Sequence, residues 1–231
     1  MLDSELKTQR PVFSINAIQR SNRKTFSIQV TYDGRINIKV PQKASMNDIY
    51  FIINKNENWI RKKIAYYQNN PPVFHNFDEG EKFFYFGMEY PLILTDEIKV
   101  NFEFSGNEFV LNKQKKDEGL KLITDFYKAK AKKIFPIQTQ NIANLLGLKI
   151  ANVKISSARK VWGSCSGRSN INLVWRLIQA PPKTIDCIIV HELVHLFEMN
   201  HSKKYWDIVY RIMPDYELYE GWLNENQHKM L

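Results

Sequence analysis

PPKTIDCIIVHELVHLFEMNH, Pro181 to His201, holds three of the chain's five histidines, and its reading organises everything around it. Pro181-Pro182 bring a backbone φ suited to a first helical turn. From Cys187 to Phe197 every residue is apolar except His191, Glu192 and His195, so the expected element is a buried helix. Residues four apart on a helix share a face one turn apart. The imidazoles of His191 and His195 therefore converge on one point, with Glu192 beside them. An ordinary core helix has no use for that pattern, because each polar group would be buried without a partner. The spacing H-E-x-x-H suits zinc chemistry instead: the ion lowers the pKa of a water toward neutrality, and the carboxylate takes its proton as the oxygen attacks a carbonyl. The same carboxylate then hands the proton to the leaving group.

A third ligand depends on where this helix stops. In a straight helix His201 would stand about 15 Å along the axis from His191 and point elsewhere. Asn200 is the expected stop, because asparagine tolerates the left-handed backbone used at helix C-termini, and a new helix can begin near Ser202. His201 is then returned to the ion. Glu198 lies on the histidine face and is expected to hydrogen-bond a ligand histidine or to be solvated. Glu217, Glu220 and, less naturally, Asp207 compete with His201 for the third position.

Outward from this segment, NINLVWRL (Asn170 to Leu177) and LKIANVKISS before it read as strands separated by the loop RKVWGSCSGRS. From about Asp117 to Leu146 the pattern is helical; Pro136, lacking an amide donor, is expected to kink or split the helix, and Gly147 to end it. The densest basic run, Lys113 to Lys133, reads as the solvated face of that helix. In the first third, FSINAIQRS and KTFSIQVTYDGRINIKVP form a small antiparallel sheet with a hairpin at Asp33-Gly34. A helix capped by Ser45 follows, then more strands from Glu81 to Leu111. The fold class is α+β, with a β-rich N-terminal unit over residues 1–112 crossed by one helix and a catalytic unit over 113–231.

The bulk composition narrows the function. With 231 residues, 44% of them hydrophobic, the chain can bury a substantial core. No stretch approaches the roughly 20 apolar residues that span a bilayer, and MLDSELKTQRPVFS has no apolar core flanked by basic residues. Cys165 and Cys187 make no disulfide framework or zinc-ribbon spacing, so the cytoplasm is the expected location, with no membrane partner. The net charge of +9 raises nucleic acid as a partner, but no motif supports it. Cys165 has no histidine near it in sequence and is expected to pack rather than to act as a nucleophile. His75 and His228 are expected at the surface.

The stretch RKVWGSCSGRSNINLVWRLIQAPPKTIDCIIVHELVHLFEMNHSKKYW, with RSNRKTFSIQVTYDGRINIKVP and NENWIRKK earlier, resembles the YgjP-like metallopeptidase family, relatives of the SprT-like and WLM zinc proteases. The resemblance covers nearly the whole chain. It implies a minimal zincin-like catalytic domain, one Zn2+ held by His191, His195 and His201, Glu192 as general base, and Trp206 as the aromatic that follows the third histidine. Lys160-Val161 and Tyr205 depart from the family's usual residues, and Glu198 stands where metzincins have glycine. In zincins a peptide lies along an edge strand beside the metal. Asn170 to Leu177 is the expected edge strand, with Arg176, Asn172, Trp162 and Ser164 as candidates to bind substrate or a developing oxyanion. The leading expectation is thus a zinc metallopeptidase acting on peptide or protein. Two alternatives stay open: a zinc hydrolase of a non-peptide substrate such as a nucleotide phosphoanhydride, and a non-catalytic zinc module binding nucleic acid or protein. Against the last stands Glu192, since a structural zinc site takes four protein ligands and needs no base.

Overall fold

A computed structural model describes residues 9–231; most of the opening segment read above for an export signal lies outside the described residues. Helices and small sheets alternate in an α+β arrangement. The chain divides into two compact units after Val73, not at 112/113 as expected from the sequence.

In the first unit, β1 (Ile15–Ser21), β2 (Ser27–Val30) and β3 (Ile36–Pro41) form a sheet of order β1-β3-β2. The β2–β3 hairpin turns at Asp33-Gly34 as expected, with Gly34 at φ +79°. The sheet is mixed rather than antiparallel, because β1 runs parallel to β3. The reason is burial: Ile36, Ile38 and Val40 are all fully buried, so β3 takes the centre and the mostly exposed β1 occupies its free edge. Ser45 caps α1 (Met46–Lys55) in a reciprocal capping box with Asp48. The single helix expected here is two, because the Asn56 side chain donates to the Ile52 carbonyl at 2.7 Å, and α2 (Glu57–Asn69) starts afresh. Ile49, Ile53 and Ile60 pack on the buried face of β3.

The second unit opens with β4 (Lys82–Tyr85), β5 (Met88–Thr95), β6 (Phe102–Phe104) and β7 (Phe109–Asn112), in the order β4-β5-β7-β6. Its aromatic face is why this sheet belongs with the C-terminal residues. Tyr85 and Phe109 pack against Tyr127 of α3 (Gly119–Leu145), whose hydroxyl donates to the Phe84 carbonyl at 2.5 Å. His75 is not a surface residue either: it is held 2.7 Å from Glu81 and stacks on Phe83. His228 is half-buried. Phe86 and Gly87, both at positive φ, turn the β4–β5 hairpin. Their amides donate to the carbonyls of Ile178 and Gln179, so the hairpin braces the start of the histidine helix. A Cβ on Gly87 would stand 2.9 Å from Pro181 Cα, so only glycine fits.

Pro136 does not split α3, which continues through it. The carbonyl it frees belongs to exposed Lys132, while Gly119, Ile123, Tyr127, Ala131, Phe135, Thr139 and Ala143 bury one residue every fourth position along the helix. That packing outweighs the missing hydrogen bond. Gly147, at φ +67°, ends the helix as expected.

The last sheet joins β8 (Asn152–Ser156), β9 (Gly163–Cys165) and β10 (Asn170–Val174) in the order β8-β10-β9. The strand expected at the edge, Asn170 to Leu177, is therefore central and ends at Val174, since Trp175–Gln179 is a 3-10 turn. The edges are β8 and β9, and β9, which packs against the histidine helix, lies inside the segment read as a loop. α4 (Pro182–Val194) packs against β9 and β10, and α5 (Lys203–Ile212) and α6 (Tyr216–Asn226) close the unit. No helix among the described residues is long and apolar enough to cross a membrane.

Candidate metal centre

His191 and Glu192 lie in the last turn of α4 and His195 caps it. The helix ends at Val194, earlier than the stop expected at Asn200, and Asn200 has no left-handed backbone. Leu196, Phe197 and Glu198 turn back by donating to the carbonyls of Leu193 and Val194. His195 Nδ1 donates to the Glu198 carbonyl at 3.2 Å, holding that turn closed. Ser202 then caps α5 by accepting from the Tyr205 amide, so a new helix begins where the sequence led one to expect.

This path returns His201 to His191. One nitrogen from each of His191, His195 and His201 lies within 4.8 Å of the others, a set that could hold one metal ion. His191 Nε2 and His201 Nε2 are 3.1 Å apart, close to the roughly 3.3 Å between two tetrahedral zinc ligands with bonds of about 2.0 to 2.1 Å. The remaining nitrogens are occupied so as to free the converging ones. His191 Nδ1 is 3.0 Å from the Tyr216 hydroxyl, which itself faces Glu220 at 3.5 Å. With protons on both Nδ1 atoms, the Nε2 lone pairs of His191 and His195 point to the shared space. Burial, with smaller contributions from His195 and His201, pulls the His191 pKa down to about 4, and burial also lowers that of His195. Burial thus favours the neutral form of both rings, the state a ligand needs. The donor set fits a metal.

Of the competing acids, Glu217 accepts from the Tyr210 hydroxyl at 2.9 Å, Asp207 is exposed, and Glu220 faces the Tyr216 hydroxyl. Tyr205 and Trp206 support the rings: the Tyr205 hydroxyl donates to the His191 carbonyl at 2.9 Å, and Trp206 stacks on His201 with centroids 5.9 Å apart. Glu198 touches His195 through its carbonyl; its carboxylate faces Lys204 at 3.9 Å.

Glu192 is only 5% exposed, and burial raises its carboxyl to about 7. Facing it is β9. A Cβ at Gly163 would stand 2.5 Å from Glu192 Oε1 and 2.6 Å from its Cγ, so the strand approaches the carboxylate closely only because residue 163 has no side chain. The cleft between them encloses about 450 Å³, with Val161 to Cys165 on one wall and the three histidines, Glu192 and Tyr216 on the other.

Trp162 and Ser164 thus line the cleft. Asn172 does not; it supports the wall by donating to Ser164 Oγ at 3.0 Å. Arg176 lines a neighbouring cavity instead, since it sits on the turn after β10, donating to the Ala158 carbonyl. Cys165 is on the wall, but burial and then Glu192 raise its pKa, which makes it a poor nucleophile. Sequence reasoning missed Gly163 and Tyr216. Tyr216 is 25 residues from His191, and no local spacing links them; the GSC strand signal was too short to see.

No curated protein and no solved structure matches the chain. The family model described as YgjP-like, metallopeptidase domain, matches residues 24–226 and so runs through both units, with α4, β9 and all three histidines inside it. The chain therefore belongs to the YgjP-like family.

Proposed function

We propose that the protein is a zinc-dependent peptidase in which His191, His195 and His201 hold one zinc ion and Glu192 is the general base. The observation that carries this reading is the convergence of three imidazoles next to a buried carboxylate, in a cleft walled by an open strand edge. An all-imidazole set of three suits zinc and leaves a fourth position open. When bound, zinc acts as a Lewis acid that polarises the scissile carbonyl and makes water more acidic. Glu192 takes the proton from the attacking water and delivers it to the departing amine, work for which a carboxyl with a pKa near neutrality is suited.

The substrate is oriented by β9. Val174 donates to the Trp162 carbonyl and Ser166 to the Asn170 carbonyl, so Trp162, Ser164 and Ser166 direct their main-chain groups to β10. Gly163 and Cys165 direct theirs outward. A peptide antiparallel to β9 meets those groups, and its carbonyl is held near Glu192. This assigns to Gly163–Cys165 the role expected of Asn170–Leu177.

Glu192→Gln is expected to retain zinc and to lose at least about 100-fold in peptide hydrolysis. His201→Ala is expected to lose zinc, read by elemental analysis of the purified protein. Unchanged hydrolysis in the first variant rejects the base, and full stoichiometry and affinity in the second rejects the ligand. Hydrolysis of nucleotides by the wild type without cleavage of any peptide would favour the phosphoanhydride alternative.

A further inference from the structure

Next to the cleft, and sharing Val161 and Trp162 with it, lies a second cavity of about 560 Å³. Lys128, Arg159, Lys160 and Arg176 line it with Trp162 and Trp175, and no Asp or Glu side chain does. Among the described residues none of these four cations is ion-paired with a carboxylate. Two are fixed over aromatic faces: the Arg176 guanidinium lies 5.5 Å from the Trp162 ring centroid, and Lys128 Nζ 5.9 Å from that of Trp175. Arg176 is further held by its bond to Ala158. Burial, and then the charge of Arg159, keeps the Arg176 guanidinium below its ordinary pKa. The C-terminal residue Leu231 also lines the cavity, but its carboxylate is not among the ion pairs of the described residues; like charges gathered in this way repel one another, and an anion among them offsets that cost.

The position of the cavity says which anion. The outward groups of Gly163 and Cys165 pair with amides, so a ligand that uses both the edge and the cavity is a peptide, and the anion a peptide carries is a carboxylate. Direction follows from pairing. β9 runs from Gly163 to Cys165, and the cavity lies beyond its N-terminal end, at Arg159 to Trp162. An antiparallel peptide runs the opposite way, so the residues after the bond held at Glu192 head toward the cavity. Resting on the peptidase reading above, we propose that this cavity is a specificity subsite that binds a carboxylate on the C-terminal side of the scissile bond. The carboxylate is either an acidic side chain or the peptide's own C-terminus. Trp162 forms the partition between the two chambers, with one side toward the cleft and Arg176 over its ring.

Binding, read apart from turnover, tests this. Full-length Glu192→Gln protein is titrated by calorimetry with peptides of one sequence that carry Glu or Gln at the first three positions after a cleavage site, each with a free or an amidated C-terminus. The carboxylate form is expected to bind about tenfold tighter than its uncharged twin, the effect of one charge-assisted hydrogen bond. A gain confined to the Glu peptides identifies an acidic side chain, and one confined to free C-termini identifies the α-carboxylate. Adding Arg159→Gln and Lys160→Gln, both exposed positions, is expected to bring the ratio to about one. Equal affinity for charged and uncharged peptides overturns the subsite, as does a preference that survives the double substitution. Binding of inorganic phosphate or a nucleotide with no such discrimination among peptides also overturns it. If the preference and its loss are both observed and the zinc-loaded wild type cleaves none of the peptides, the carboxylate-binding cavity stands and the peptidase reading fails.

Discussion

Tyr216 and Gly163 touch His191 and Glu192 of the proposed metal centre without belonging to the motif that announces it. Tyr216 orients His191 through Nδ1, and partners of this kind commonly alter metal affinity by 10- to about 100-fold. Tyr216→Phe, which keeps the buried ring and deletes only the hydroxyl, is expected to weaken metal binding at least about tenfold, measured by competition with a chelator; an unchanged affinity would remove the hydroxyl from the site. Gly163→Ala brings a methyl group to 2.5 Å from the Glu192 carboxylate, so either the strand or the carboxylate must move. A displacement of about 1 Å can cost on the order of 100-fold in rate. That loss is expected in kcat with zinc content retained, and a variant with wild-type kcat would show that the close approach does not matter. Cys187 is a control at the same scale. Burial pushes its thiol up to about 12, and its sulfur lies 3.7 Å from the Tyr216 carbonyl. Thiol reagents at pH 8 are expected to leave it unmodified in the folded protein and to label it after denaturation, read by mass spectrometry.

Among the elements, the end of α4 shows how a local signal can be right in kind and wrong in place. The sequence calls for a helix that stops before His201, and it does stop; but the turn is set by amides folding back onto Leu193 and Val194 and by His195 holding the Glu198 carbonyl, not by Asn200. The β2–β3 hairpin is the opposite case, legible because Asp33-Gly34 has one favoured use. Its acid carries a test. Hydrogen bonds from Arg35, first, and from Thr31 hold the Asp33 carboxyl down to about 2. A lowered carboxyl contributes stability above its unfolded value of about 3.9, and that contribution disappears as pH falls from there through about 2. The residue-specific NMR titration of Asp33 is expected to have its midpoint near 2, and Arg35→Ala to move it upward; a midpoint near 4 in the intact protein would show the turn network absent in solution.

For the whole molecule, the boundary after Val73 makes the four-stranded sheet part of the unit that carries the histidines. Ile123, Tyr127 and Phe135 are fully buried in the core shared by that sheet and α3. Exposing a side chain of this kind costs about 1.5 to 3 kcal/mol, against a typical domain stability of about 5 to 15 kcal/mol. A chain of residues 74–231 is expected to unfold cooperatively and to bind zinc, and one of residues 113–231 to lack a calorimetric transition; a stable 113–231 fragment would refute this division. Local contacts were enough to read the helix that begins at Pro182, the pairing of His191 with His195, the cap at Ser45, the start of a helix near Ser202 and the hairpin at Asp33-Gly34, because each involves residues a few positions apart. Only the tertiary structure decided that β9 rather than Asn170–Leu177 is the open edge, that Gly163 lies on Glu192, that Tyr216 holds His191, and that the aromatic sheet joins the C-terminal unit. Those outcomes depend on which distant surfaces bury one another, and no local periodicity records that choice.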